Sequence, residues 1–232
     1  MSDIQERLKA VQEKIEQARI RSSYHQKVSL VAVTKFHPVS EIEEAIRCGA
    51  EQIGENRVQE MESKRKMIRT PVVWNLIGHL QKNKVRKAVA LSDLIQSADS
   101  MEILRDIDEK AGQMGKKQSV LLEFNISGEA SKHGIPPEEA GRVFHEAGML
   151  PHISVRGLMC MAPLTEDLNV VRKVFRQGKL LWEYMKDDFP EGQISVLSMG
   201  MTHDFEIAIE EGSTMVRVGT AIFGPRPQKG EQ

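Results

Sequence analysis

Ile4, Leu8, Val11, Ile15 and Ala18 fall at helical spacing with charged residues between them, so residues 3–21 are predicted as an amphipathic helix. The pattern then changes. Ser29–Thr34 is a short, continuous, Val-rich run, the signature of a strand buried on both faces. After Pro38, Ser40-x-x-Glu43 has the form of a capping box opening a helix that Gly49 ends. Glu51–Glu55 is again a short strand, and Asn56-x-x-Gln59 is expected to cap a charged helix running to about Arg69. Val72–Ile77 is predicted as the third strand, with a basic helix over Lys82–Ala90. Asp93–Ser97 is the fourth, and the helix after it carries Ile103, Leu104, Ile107, Ala111 and Met114. Ser119–Ile126 and Ile153–Met161 are the fifth and sixth, with a helix over Pro136–Met149 between them. Val171, Val174, Leu181 and Met185 mark the next helix, and Ile194–Ser198 and Thr214–Val218 complete eight strands.

Residues 28–224 thus divide into eight strand-plus-helix units of about 25 residues, the length of a short strand, a helix and two tight loops. Alternating units of this kind predict a parallel sheet with helices outside, in the α/β class. Eight of them favour a closed (β/α)8 barrel, the TIM-barrel architecture, with one extra N-terminal helix. An open eight-stranded sheet is the alternative, but no GxGxxG follows the first strand, which argues against a dinucleotide-binding version. One domain is expected, with the N-terminal helix in 1–27, the barrel in 28–224 and a tail over 225–232.

Composition narrows the partners. The 232 residues carry 32 basic and 33 acidic side chains, a formal net charge of −1, which lacks the basic surplus of a nucleic-acid binder. No apolar run approaches the roughly 18 residues of a membrane span, and the N-terminus has no signal-peptide pattern, so the cytoplasm is the expected location. Cys48 and Cys160 lie far apart, which indicates neither a disulfide framework nor a zinc knuckle. The seven histidines form no HExxH and no tight cluster, so no metal site is expected. Lys82-x-Lys84-x-Arg86-Lys87 reads as a solvated helix face, with contact to an anionic partner as the alternative.

In a barrel the chemistry belongs at the C-terminal ends of the strands. Lys35 closes an apolar strand, where desolvation lowers an amine's pKa and exposes a neutral nucleophile able to form a Schiff base with a carbonyl. A lysine that merely reaches out to solvent is the alternative. Thr202 ahead of a helix over Asp204–Glu211, together with Gly219 and Thr220 after the eighth strand, has the look of a phosphate cup. Caps and turns without a ligand would look the same. Arg217, inside Met215–Val218, needs an acceptor in the barrel: a carboxylate such as Glu55, or a ligand ring nitrogen. Lysine, phosphate cup and arginine are jointly what pyridoxal 5′-phosphate (PLP) requires. Met159, Met161, Met199 and Met201 either pack on such a ring or fill the core.

Several segments carry a family likeness: Val33-Thr-Lys35, Ile53-Gly-Glu-Asn56, Trp74-x-x-Ile-Gly-His-Leu-Gln-x-Asn-Lys84, Leu122-x-x-Asn-Ile-Ser127, Lys132-x-Gly134, Arg156-Gly-Leu-Met159, Leu197-Ser-Met-Gly-Met201 and the run Gly212–Gly224. In order over residues 28–224, they resemble the PLP homeostasis protein family. The resemblance implies a PLP-binding barrel similar to the N-terminal domain of alanine racemase. It implies that Lys35 forms the Schiff base and that Arg217 meets the pyridine nitrogen. It further implies that Thr202, Gly219, Thr220, Ser198 and the Met201 N–H contact the phosphate, and that Asn56 lines the cofactor. Two positions depart from the family pattern: Thr202 stands where Ser is usual, keeping the hydroxyl, and His203 where Asp is usual.

Three functions compete. The first is a protein that stores or delivers PLP, with apo PLP-dependent enzymes as recipients and a monomer as the expected state. The second is a PLP-dependent amino-acid racemase or lyase, and the third a cofactor-free Schiff-base aldolase. The racemases that resemble this barrel add a C-terminal β-domain supplying a tyrosine base. Here the only tyrosines are Tyr24 and Tyr184, neither at a predicted strand end, so a second face would lack its base. The carrier is the favoured expectation, with no catalytic residues assigned.

Overall fold

The structure is a computed structural model that describes residues 2–129 and 132–225. Helix α1 (Asp3–Arg21) comes first and carries the five apolar residues of its periodicity on its buried face. Then strand and helix alternate: β1 (Ser29–Val33), α2 (Val39–Arg47), β2 (Gln52–Glu55), α3 (Val58–Met67), β3 (Val73–Leu76), α4 (Val85–Leu91), β4 (Leu94–Ala98) and α5 (Met101–Gln113). The second half is β5 (Gln118–Glu123), α6 (Ala140–Gly148), β6 (Ile153–Met159), α7 (Leu168–Met185), β7 (Val196–Ser198), α8 (Phe205–Glu210), β8 (Met215–Val218) and α9 (Thr220–Phe223).

The strands pair in sequence order, all parallel, and β1 pairs with β8 from Ser29–Met215 to Ala32–Val218. That last pairing closes the sheet and rules out the open alternative. The single turn of α9 cannot cover the outside of β8, and α1 packs there instead, against α8, α9 and α2. The expected tail from 225 lies outside the described residues apart from Pro225.

Strand alternation sorts the side chains into two cores. Val31, Leu94, Leu121, Met159 and Met215 point inward and pack together within the barrel. Ala32, Ile53, Leu76, Ile95, Leu122, Leu197, Val216 and Val218 point outward into the larger core beneath the helices. A polar chain crosses the barrel interior. Arg217 Nη1 donates to Ser198 Oγ at 2.7 Å, Ser198 Oγ to Gln96 Oε1 at 2.7 Å, and Gln96 Nε2 to Asn75 Oδ1 at 2.8 Å.

Three local expectations need correction. Ser40 and Glu43 form no capping box: α2 starts one residue after Pro38, whose extended backbone takes the N-cap position, and Ser40 lies inside the helix. Asn56 does not cap α3, whose N-cap is Arg57 with no side-chain hydrogen bond, because Asn56 lines the barrel mouth. Arg217 does not meet Glu55. Glu55 has the opposite parity and faces α3, where Lys64 Nζ donates to its Oε1 at 2.8 Å.

Candidate functional site

Inward parity on β1 runs through Val31 and Val33 to Lys35, which carries the amine into the mouth at the C-terminal ends of the strands. There a cavity of about 270 Å³ is lined by Lys35, Asn56, Arg217, Thr202, Gly219 and Thr220, with Met161, Met201 and His203 at its edges. Six of the seven residues singled out for the cofactor are therefore neighbours. Ser198 is the seventh, and it lies one layer below, fully buried, holding Arg217 and Gln96. The Met201 N–H is taken by Asp204 Oδ1 at 2.6 Å. Met161 and Met201 face the cavity, while Met159 and Met199 are buried in the two cores.

The loop that carries Thr202 is fixed by backbone geometry. Gly200 has φ +96°, and a Cβ there would sit 2.6 Å from Ala208 Cβ and 2.8 Å from Phe205 Cα. Only glycine lets α8 press against this turn. Asn56 is fixed similarly, since a Cβ on Gly78 would come 2.4 Å from the Asn56 carbonyl oxygen.

Arg217 is the electrostatic centre. Its Nη1 donates to the Ser198 carbonyl and hydroxyl, and its Nη2 to the Cys160 carbonyl at 3.1 Å. A guanidinium has five N–H groups, so two have no acceptor among the described residues while the side chain faces the cavity. Burial pulls its pKa below the usual range, opposed by Cys160, Glu123 and Asp204. Glu123, inward on β5, is pushed up to about 7, chiefly by burial and then by the charge of Asp99, with Arg217 opposing. The Cys160 thiol is pushed up to about 12 by burial, which leaves it unreactive at neutral pH.

A second group, centred on Lys64 and Glu60, which the sequence did not flag, holds the backbone on both sides of Lys35. Lys64 on α3 donates to the Thr34 carbonyl at 2.7 Å, to Glu55 at 2.8 Å and to Glu60 at 2.7 Å. Thr34 Oγ1 donates to the same Glu55 oxygen, and the Phe36 N–H donates to Glu60 at 2.7 Å. Phe36 sits at φ 68°, a left-handed conformation that a bulky residue adopts only when its surroundings impose it. Burial raises the Glu55 pKa, against the opposing influence of Lys64 and Thr34.

The remaining charged candidates resolve differently. In the basic run, Lys82 pairs with Glu102 and Lys87 with Glu62, while Lys84 lines an adjoining polar cavity together with Arg57 and His79. The histidines do cluster, contrary to expectation: ring atoms of His79 and His133 and an oxygen of Asp99 all lie within 4.8 Å of one another. The histidines stand 54 positions apart in sequence, and the side-by-side pairing of β3, β4 and β5 brings them together. The Lys179 ammonium lies over the Tyr24 ring and Tyr184 packs at a tilt against Phe144, and neither tyrosine lines the Lys35 cavity.

Chemically, the cavity offers a primary amine, two hydroxyls beside a glycine backbone, and a buried cation with N–H groups to spare. It suits a flat, phosphorylated ligand bearing a carbonyl and a ring acceptor.

Comparison with known proteins agrees with this description. The family profile described as "Alanine racemase, N-terminal domain" matches residues 7–227. The pyridoxal phosphate homeostasis protein of Pasteurella multocida is 40% identical over 219 residues, which is 93% of each chain. That of Escherichia coli K12 is 38% identical over 97% of this chain and 98% of its own. Among solved structures, PipY of Synechococcus elongatus with PLP bound superposes at a TM-score of 0.84 with 32% identity, covering 95% of this chain and all of PipY. Alanine racemase of Clostridium difficile shares the fold at a TM-score of 0.76 but only 14% identity, and this chain spans 61% of it.

Proposed function

The chain belongs to the pyridoxal phosphate homeostasis protein family, and from that premise we propose that it holds PLP as a Schiff base on Lys35 and stores or delivers it without robust turnover. The observation that carries this reading is the lining of one cavity by Lys35, Thr202, Thr220 and a buried Arg217 with unaccepted N–H groups. Those N–H groups face the cavity, where they are placed to donate to a ligand's acceptor. PipY, 32% identical over nearly the whole chain, has been solved with PLP bound, which supports the same ligand here.

When bound, PLP supplies an aldehyde that condenses with a primary amine, releasing water, and a ring that withdraws electrons from the attached carbon. The protein's own groups divide the rest. Lys35 provides the amine. Thr202, Thr220 and the Gly219 backbone receive the phosphate, and Asn56 borders the ring. Arg217 donates toward the ring nitrogen, which must then stay unprotonated to accept, so electron withdrawal is weaker than with a carboxylate partner. Turnover on an amino acid would need proton transfer on both faces of the substrate. Of the lining side chains, only Lys35 and His203 can exchange a proton, and His203 is exposed at the rim. His203 is the one observation that favours a PLP-dependent racemase or lyase. An aldolase would leave the Arg217 N–H groups unused.

Borohydride reduction of the protein loaded with PLP, followed by peptide mapping, tests the reading. The adduct is expected on Lys35, and an adduct on another lysine, or no visible imine band on adding PLP, would sink it. Solvent-deuterium wash-in at the α-carbon over a panel of amino acids separates carrier from enzyme. Enzyme-like exchange that His203→Ala abolishes would promote the racemase.

A further inference from the structure

We propose that His79, Asp99 and His133 form a divalent-metal site at the rim of the barrel, distinct from the Lys35 cavity, and that its chemistry suits Zn²⁺. His79 follows β3, Asp99 follows β4 and His133 lies in the connection after β5, so three successive segments meet there. Asp99 is the anchor, with only 7% of its side chain exposed, while His79 and His133 are open to solvent at 41% and 59%. Its Oδ2 lies 2.7 Å from His79 Nδ1 and 3.9 Å from His133 Nδ1. The two imidazole rings stack in parallel, with centroids 3.8 Å apart and planes 10° apart.

Donors sharing a tetrahedral zinc ion at about 2.0–2.2 Å would lie about 3.3 Å from one another. Two of the separations bracket that value and all three ligand atoms lie within 4.8 Å of one another, but the stacked rings aim their lone pairs in parallel, so both imidazoles must rotate about their side-chain bonds to converge on one ion. Two neutral imidazoles and one carboxylate suit a first-row borderline ion, and they leave a coordination position to solvent.

The connection bearing His133 is already held. Asn125 Nδ2 donates to the Glu129 and Lys132 carbonyls, the Ile135 N–H donates to the Glu123 carbonyl at 2.8 Å, and Lys132 Nζ donates to the Ala162 carbonyl at 2.9 Å. The ligand is therefore presented on a supported loop.

The test uses the full-length protein as purified, with any affinity tag removed, titrated with ZnCl₂ against a chromogenic chelator. One zinc per chain is expected, weakened about 100-fold by His133→Ala and by Asp99→Asn. Zinc K-edge absorption should show two imidazole nitrogens and carboxylate oxygen at about 2.0–2.2 Å. His133→Ala changes an exposed side chain, and a metal-free melting curve matching the parent's shows that its fold is intact. No stoichiometric binding below millimolar zinc, or binding retained by both variants, overturns the site. So does loss of zinc in His203→Ala with retention in His133→Ala, which would put the ion in the Lys35 cavity.

Discussion

Lys64 is the residue whose removal tests the construction of the site most directly. It is 7% exposed, and the Glu55 carboxylate it meets is fully buried, with one oxygen, Oε2, that has no partner. Lys64→Met keeps the aliphatic stem but leaves Glu55 with Thr34 alone. Removing one member of a buried pair costs about 3–5 kcal/mol. For a chain of this size, each kcal/mol moves the melting temperature by about 2–4 °C, so a fall of about 10 °C or more is expected at pH 8. The loss must depend on pH. Without Lys64, burial acts on Glu55 with only the Thr34 hydrogen bond opposing it, and Glu60 adds to the effect, so the folded pKa rises further above the unfolded value. A carboxyl with a raised folded pKa supports the fold at low pH and loses that support as pH rises through the folded pKa. Each pH unit in that window is worth about 1.4 kcal/mol, so the deficit should be smaller at pH 5.5 than at pH 8. Glu55→Gln combined with Lys64→Met removes both charges and should recover much of the pH 8 loss. Differential scanning calorimetry at pH 5.5 and 8 reads all three proteins. A single variant melting within about 2 °C of the parent at pH 8, or a deficit equal at both pH values, would refute the reasoning.

Glu123, with its pKa raised from 4.5 to about 7, stabilises the fold below the unfolded value and loses that contribution as pH climbs through 7. The shift corresponds to about 3 kcal/mol, so Glu123→Gln should flatten the stability profile between pH 5 and 8, and an unchanged slope in urea unfolding would contradict it. Thr202→Ala and Thr220→Ala should each weaken PLP about tenfold while leaving pyridoxal nearly untouched, because only PLP carries the phosphate. Fluorescence titration with both ligands reads this, and equal losses would mean the phosphate lies elsewhere.

Much of the architecture was written in strand parity and spacing. The apolar runs and the roughly 25-residue unit predicted the barrel, and the position of Lys35 beyond an inward Val33 carried it to the mouth. The same parity could have excluded the pairing of Arg217 with Glu55, since Ile53 and Glu55 alternate with the inward Gln52 and Gly54. Capping signals proved weaker. Ser40 and Asn56 have the right chemistry, but Pro38 fixes the start of α2 and the barrel mouth takes Asn56. Lys64 was illegible for a different reason. It sits in a helix dense with Lys and Glu, where a lysine ordinarily faces water, and only its position above the outward Glu55 buries it.

A regularity in the contacts suggests how such residues become readable. Each strand-helix unit returns the chain to the neighbouring strand at about the same height, so polar groups on adjacent strands meet at nearly constant sequence separation. Thr34 meets Gly54 and Glu55 at separations of 20 and 21, and Gln96 meets Asn75 at 21. Ser97 meets Gly78 at 19, His79 meets Asp99 at 20, and Arg217 meets Ser198 at 19. A buried polar residue at one strand end thus has its partner written about 20 positions away, provided the connection is short. The longer segment after β5 breaks the rule, which is why His133, 34 positions beyond Asp99, could not be joined to the others by spacing. In a barrel whose unit length is already known, polar pairs at that spacing carry more information than the short-range histidine and cysteine motifs. Those motifs assume ligands on one local element, whereas the pairing of neighbouring strands assembles ligands from successive ones.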